Sequence, residues 1–84
     1  MLIQGNLSQM QYQKFDFTGL KCPLPVLKAR RALKPMAIGQ SIMITADDPA
    51  APIDFKHFCE TAGHKIEHQS EQNGLFTFVI SKLS

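Results

Sequence analysis

Residues 11–17, QYQKFDF, set Phe15 and Phe17 on one side and Lys14 and Asp16 on the other, and this period of two predicts a half-buried strand. Thr18-Gly19 interrupts it. A helix is expected to begin around Cys22, because the fixed φ and missing N–H of Pro23 suit a first helical turn. Val26, Ala29 and Leu33 then recur on one face while Lys28, Arg31 and Lys34 point elsewhere, and Pro35 and Gly39 mark the end. SIMITA alternates Ile42, Ile44 and Ala46 against Met43 and Thr45, which predicts a second strand. The stretch from Asp47 onward has an acidic start, early prolines and Phe55, Phe58, Cys59 and Ala62 at helical spacing, so a second helix is expected over about 50–62, stopped by Gly63. HKIEHQ predicts a short third strand and Asn73-Gly74 a turn. LFTFVISK sets Leu75, Thr77 and Val79 opposite Phe76, Phe78 and Ile80 and predicts the last strand.

The order βαβαββ favours right-handed crossovers between parallel strands, followed by a tight antiparallel pair. Two helices can cover only one face of four strands. The expected architecture is therefore a two-layer α/β sandwich with a four-stranded mixed sheet and both helices on one face, the other face being largely open. A chain of 84 residues with 44% apolar content has material for one such domain, expected over 11–84 behind a loose lead-in at 1–10 that is rich in Gln, Asn and Ser. Chemistry on so small a body belongs at its surface.

A formal net charge of +2 does not announce a nucleic-acid binder, yet five of the nine basic residues (Lys21, Lys28, Arg30, Arg31 and Lys34) fall between positions 21 and 34 with no acid among them. That cluster is either a solvated helix face or a docking surface for an acidic partner, for which Lys21, Lys28, Arg31 and Lys34 are the candidates. Direct binding to nucleic acid is not expected, since no aromatics are interleaved with the basic residues. The N-terminus lacks the basic start and apolar stretch of a secretory signal, and no run of about 18 apolar residues occurs, so a cytosolic protein without membrane spans is expected.

The chain has two cysteines, Cys22 and Cys59, too few for a disulfide framework. Cys22 stands where a helix N-terminus and neighbouring cations favour a thiolate. Pro23 and Pro25 fix the backbone beside it. From the residues alone, Cys22 is either a nucleophile or carrier thiol, presented by these prolines, or a small buried residue in a Cys-Pro turn.

Gly19-Leu20-Lys21-Cys22-Pro23-Leu24-Pro25-Val26 resembles the Cys-Pro-x-Pro signature of the TusA/SirA-like sulfur-carrier family. The similarity continues through Ala46-Asp47-Asp48-Pro49-Ala50, Asp54, Phe58-Cys59, Gly63-His64 and Asn73-Gly74 to Lys82, so it covers about 14–82. The resemblance implies the βαβαββ sandwich, and it implies that Cys22 carries sulfur as a persulfide. The sulfur would come from a cysteine desulfurase or another persulfide donor and pass to a downstream acceptor protein. Family destinations include thiolation of the tRNA wobble uridine, molybdenum-cofactor maturation and sulfur oxidation. The position between the two prolines, often Glu in tRNA-thiolation members, is Leu24 here. The chain would act as a sulfurtransferase component in trans.

Two rival readings keep the fold. One is a regulatory or interaction module that docks through its basic helix without carrying sulfur, and the other is a thiol-disulfide redox protein pairing Cys22 with Cys59. The helical stripe of Cys59 assigns it to the core instead. No cofactor motif is read. His57, Cys59, His64 and His68 include zinc-ligand types, but His57 and Cys59 fall on nearly opposite sides of a helix, and no metal site is expected. Asp47 and Asp48 are expected to cap the second helix, or to lie near Cys22 and tune its sulfur, because the ends of parallel strands one and two share a sheet edge.

Overall fold

The computed structural model describes residues 12–84. The lead-in at 1–10 and the expected strand start at position 11 lie outside the described residues. The elements are β1 (Gln13–Asp16), α1 (Leu24–Leu33), β2 (Ser41–Ala46), α2 (Ala51–Ala62), β3 (Lys65–Gln72) and β4 (Leu75–Ser81). The sheet order is β1-β2-β4-β3, with β1 parallel to β2 and β4 antiparallel to both of its neighbours. This is the mixed four-stranded sheet that the order of elements implies.

Alternation decides which face is buried. Ile42, Ile44 and Ala46 of β2 stand opposite Ile80, Phe78 and Phe76 of β4, and these six form a cluster with Ala29 and Leu33 of α1 and Ala51, Phe55, Phe58 and Cys59 of α2. Phe55 and Phe78 meet at its centre with ring centroids 4.8 Å apart. The opposite face is less open than expected, because Val79 is buried although it points away from the helices. Its strand is internal, and cross-strand neighbours Met43 and His68 flank it on either side.

Three boundaries differ from the sequence expectation. Helix α1 begins at Leu24 rather than Cys22: Pro23 is its N-cap residue, Pro25 occupies the second helical position, and the Cys22-Pro23 peptide is cis. Strand β3 runs on to Gln72, because Asn73 and Gly74 both have positive φ (54° and 80°) and close a two-residue turn whose twist lets pairing continue to Gln72 and Leu75. Strand β1 stops at Asp16, although Phe17 still donates its N–H to the Thr45 carbonyl at 2.8 Å.

Helix α1 is anchored at its far end by Lys82, whose Nζ donates to the carbonyls of Leu33, Lys34 and Met36 at 3.0, 2.9 and 2.8 Å. A cation serving the orphan carbonyls of a helix C-terminus is favoured by geometry and by the macrodipole. The last strand thereby fixes the helix that follows the cysteine.

Candidate functional site

Because β1 and β2 are parallel, the segments that leave them, 17–22 and 47–50, emerge side by side at one sheet edge. Two adjacent carboxylates stitch these segments together. Asp47 Oδ1 accepts from the Gly19 N–H at 3.0 Å, and Asp48 Oδ2 accepts from the Cys22 N–H. The other oxygen of Asp48 accepts from the Ala50 N–H at 3.0 Å, and its carbonyl accepts from Ala51 at 2.9 Å. Of the two roles open to it in the sequence Asp48 takes the second, holding the cysteine's backbone; the N-cap of α2 is Ala50, with no side-chain cap hydrogen bond, so neither aspartate caps that helix. The N–H groups of Ala50 and Cys22, with Lys21 nearby, keep the Asp48 carboxyl below the usual carboxylate range. The tether is thus intact at neutral pH and is lost only as the pH falls through that depressed value.

On this frame Cys22 is exposed. It lies at the rim of an open groove of about 240 Å³ between the two helices. Pro23, Val26 and Arg30 form one wall and Asp54, His57, Phe58 and Thr61 the other. Of the five clustered basic residues only Arg30, not one of the docking candidates, lines the groove. Its guanidinium carbon lies 5.8 Å from the centroid of the Phe58 ring, a cation-π arrangement that occupies the charge. Lys28 and Arg31 line a different hollow on the other flank of α1, with Phe15, Phe17 and Ala32. Lys34 borders a third, near His64 and Lys82.

The electrostatics reverse the sequence expectation of a thiolate. The Asp54 carboxylate, which lines the same groove, favours the protonated thiol most strongly, followed by desolvation and the negative charge of Asp48, so the Cys22 thiol is pushed above its ordinary value. The helix contributes little to oppose this. Cys22 precedes the first helical residue by two positions, the Leu24 N–H is taken by the Lys21 carbonyl at 2.8 Å, and Pro25 has no N–H to offer.

Pro25 is buried against the core, so it fixes the helix start from inside, whereas Pro23 is exposed beside the sulfur. Cys59 is buried among Phe55, Phe58 and their neighbours, and burial pushes its thiol up to about 11. His57 faces the groove, and His64 packs against Phe58 at 5.6 Å and accepts from the Leu83 N–H at Nδ1.

The wall made by α2 was not legible as a site from the sequence. Asp54, His57, Phe58 and Thr61 follow the i, i+3, i+4, i+7 spacing of one helix face. That spacing was the available signal. Only its apolar member, Phe58, stands out where apolar periodicity is the guide.

Comparison with known proteins identifies the family. Residues 13–82 match the family described as Sulfurtransferase TusA. A Neisseria meningitidis serogroup A protein named as a candidate sulfur carrier is 46% identical over 71 residues, covering 84% of this chain and 96% of its own. The sulfur carrier protein TusA of Allochromatium vinosum is 39% identical over 70 residues, covering 83% and 92%. In structure, the crystallised SirA-like protein of Desulfitobacterium hafniense superimposes with a TM-score of 0.73 at 24% identity, over 84% of this chain and 97% of that one, and supports the fold. With the family's profile matched from β1 through β4 and a cysteine presented at the rim of the groove, the chain belongs to the TusA family of sulfurtransferases.

Proposed function

We propose that this protein is a sulfur carrier that bears sulfur as a persulfide on Cys22, receives it from a cysteine desulfurase or another persulfide donor, and surrenders it to an acceptor protein. The observation that carries this reading is one exposed cysteine on a turn held by two carboxylates, at the rim of an open groove. A carrier needs a sulfur that two different proteins can reach in turn, with no enclosed substrate pocket. The name of the Allochromatium relative supports the same role. Thiolation of the tRNA wobble uridine is one destination, and the cytoplasm is the compartment in which such a relay would operate. Among the described residues, no helix is long and apolar enough to cross a membrane.

Lys28 and Arg31, exposed on the flank of α1 away from the groove, suit an acidic partner surface, with Lys21 in the turn before that helix and Lys34 at its C-cap extending the field. Incubation with a cysteine desulfurase and free cysteine should add one sulfur atom to the intact mass. Reductant should remove it, and peptide mapping should place it on Cys22 and not on Cys59. An unchanged mass with desulfurases and with small-molecule persulfides alike would sink the carrier reading in favour of a docking module.

Asp48→Ala should keep the thiol but release its backbone. Misplacing a reacting atom by about 1 Å costs on the order of 10²-fold, so single-turnover sulfur uptake should fall by roughly 10- to 100-fold. Asp48→Asn, which retains an acceptor oxygen, should recover most of it. Uptake measured by mass spectrometry over time distinguishes the two variants.

A further inference from the structure

A carrier thiol ought to be ready to attack, yet the groups around Cys22 oppose its ionisation. Asp54 faces it from α2 and Asp48 holds its backbone from the turn. The cations that could offset them are engaged or remote: Arg30 lies over Phe58, Lys21 is next to Asp48, and Lys28 and Arg31 are on the other flank of α1. His57, one turn along α2, is the remaining titratable group of the groove. Among the described residues the one ion pair is Lys65 with Glu67, so none of them gives Asp54 a cationic partner. A half-buried carboxylate at an open groove, unpaired and beside the reacting atom, is a receptor for positive charge.

Building on the carrier reading, we propose that Asp54 holds the proton of Cys22 while the protein is free, and that the sulfur donor brings a Lys or Arg side chain onto Asp54 as it docks, freeing the thiolate inside the complex. Asp54 then pairs with the partner's cation instead of opposing the thiolate, and the proton leaves to solvent. The Cys22 thiolate attacks the outer sulfur of the donor's persulfide. One S–S bond forms at Cys22 as the donor's S–S bond breaks, the donor cysteine departs with the electron pair as a thiolate, and the outer sulfur keeps its own proton. No oxidant is consumed. The same device keeps a solvent-exposed thiol slow toward oxidants and stray electrophiles, since the thiolate is the reactive form.

The test is the pH profile of Cys22 alkylation by iodoacetamide, from about pH 6 to 10, in the full chain with wild-type Asp54, Asp54→Asn and Asp54→Glu. The Asn variant should move the profile to lower pH. For every pH unit by which the midpoint falls, the thiolate fraction at neutral pH rises about 10-fold, and the accompanying loss of nucleophilicity reduces the gain in rate to about 3-fold. Asp54→Glu should stay close to wild type. Sulfur uptake from cysteine persulfide should rise in Asp54→Asn in step with alkylation, whereas uptake from a desulfurase, which supplies its own cation, should not. A profile unchanged in Asp54→Asn would overturn the proposal, and so would an equal gain with both donors. Alkylation needs no sulfur cargo, so these profiles report on Asp54 even if the carrier reading itself were to fail.

Discussion

Cys22→Ser should take up no sulfur from any donor while folding as the wild type does. An oxygen in place of sulfur can neither attack a persulfide at neutral pH nor hold the transferred atom, so the loss is complete and not a reduced rate. The fold should be unaffected because the side chain is exposed and the contact that secures the turn, the Cys22 N–H to Asp48, belongs to the backbone. The melting midpoint of this variant should match that of the wild type. Cys59→Ser should do the reverse. It retains uptake, but it places a hydroxyl in the apolar cluster, where an unsatisfied polar group costs about 1–3 kcal/mol. Reducible sulfur on Cys22→Ser would assign the cargo to Cys59 and refute the reading.

Phe78→Ala should have the largest effect on stability. Phe78 is fully buried in the internal strand β4, opposite Ile44 of β2, and its ring meets Phe55 of α2 at 4.8 Å and Phe76 at 6.4 Å. Truncating a buried phenylalanine costs about 3–5 kcal/mol, against a total of about 4–11 kcal/mol for a body of this size. The variant should be partly unfolded at room temperature, or have a urea midpoint at less than roughly half the wild-type concentration. Phe78→Leu preserves most of the volume and should lose less than about 1.5 kcal/mol. A loss below about 1 kcal/mol for the alanine variant would show that the sheet and helices are held together elsewhere.

How far the molecule could be read from its sequence depended on whether a feature lay within one element. Alternation in SIMITA and LFTFVISK assigned Ile42, Ile44, Phe76, Phe78 and Ile80 to one face, and the structure buries all of them. Asn73-Gly74 gave the hairpin. The start of α1 was misplaced by two residues because Pro23 suits either a first turn or an N-cap, and local propensity does not separate these positions. Cys22 stood out by its neighbours in sequence, and the link from Asp47 and Asp48 followed from parallel strand ends meeting at one edge. The part of Asp48 in opposing the thiolate was open in the sequence, but the larger part, that of Asp54, was not legible. Protonation of the thiol depends chiefly on Asp54 reaching across from the second helix, a juxtaposition that exists only after the two helices pack.

The shallowness of the groove at Cys22 sets a clock for the cargo. A persulfide carried on Cys22, as proposed, would be bathed in solvent and would have to be collected by encounter. Protein partners at about 1 μM, associating at ordinary rates of about 10⁵–10⁷ M⁻¹s⁻¹, meet the carrier about 0.1–10 times per second. A loaded carrier would thus wait about 0.1–10 s for an encounter, a time set by the abundance of the acceptor.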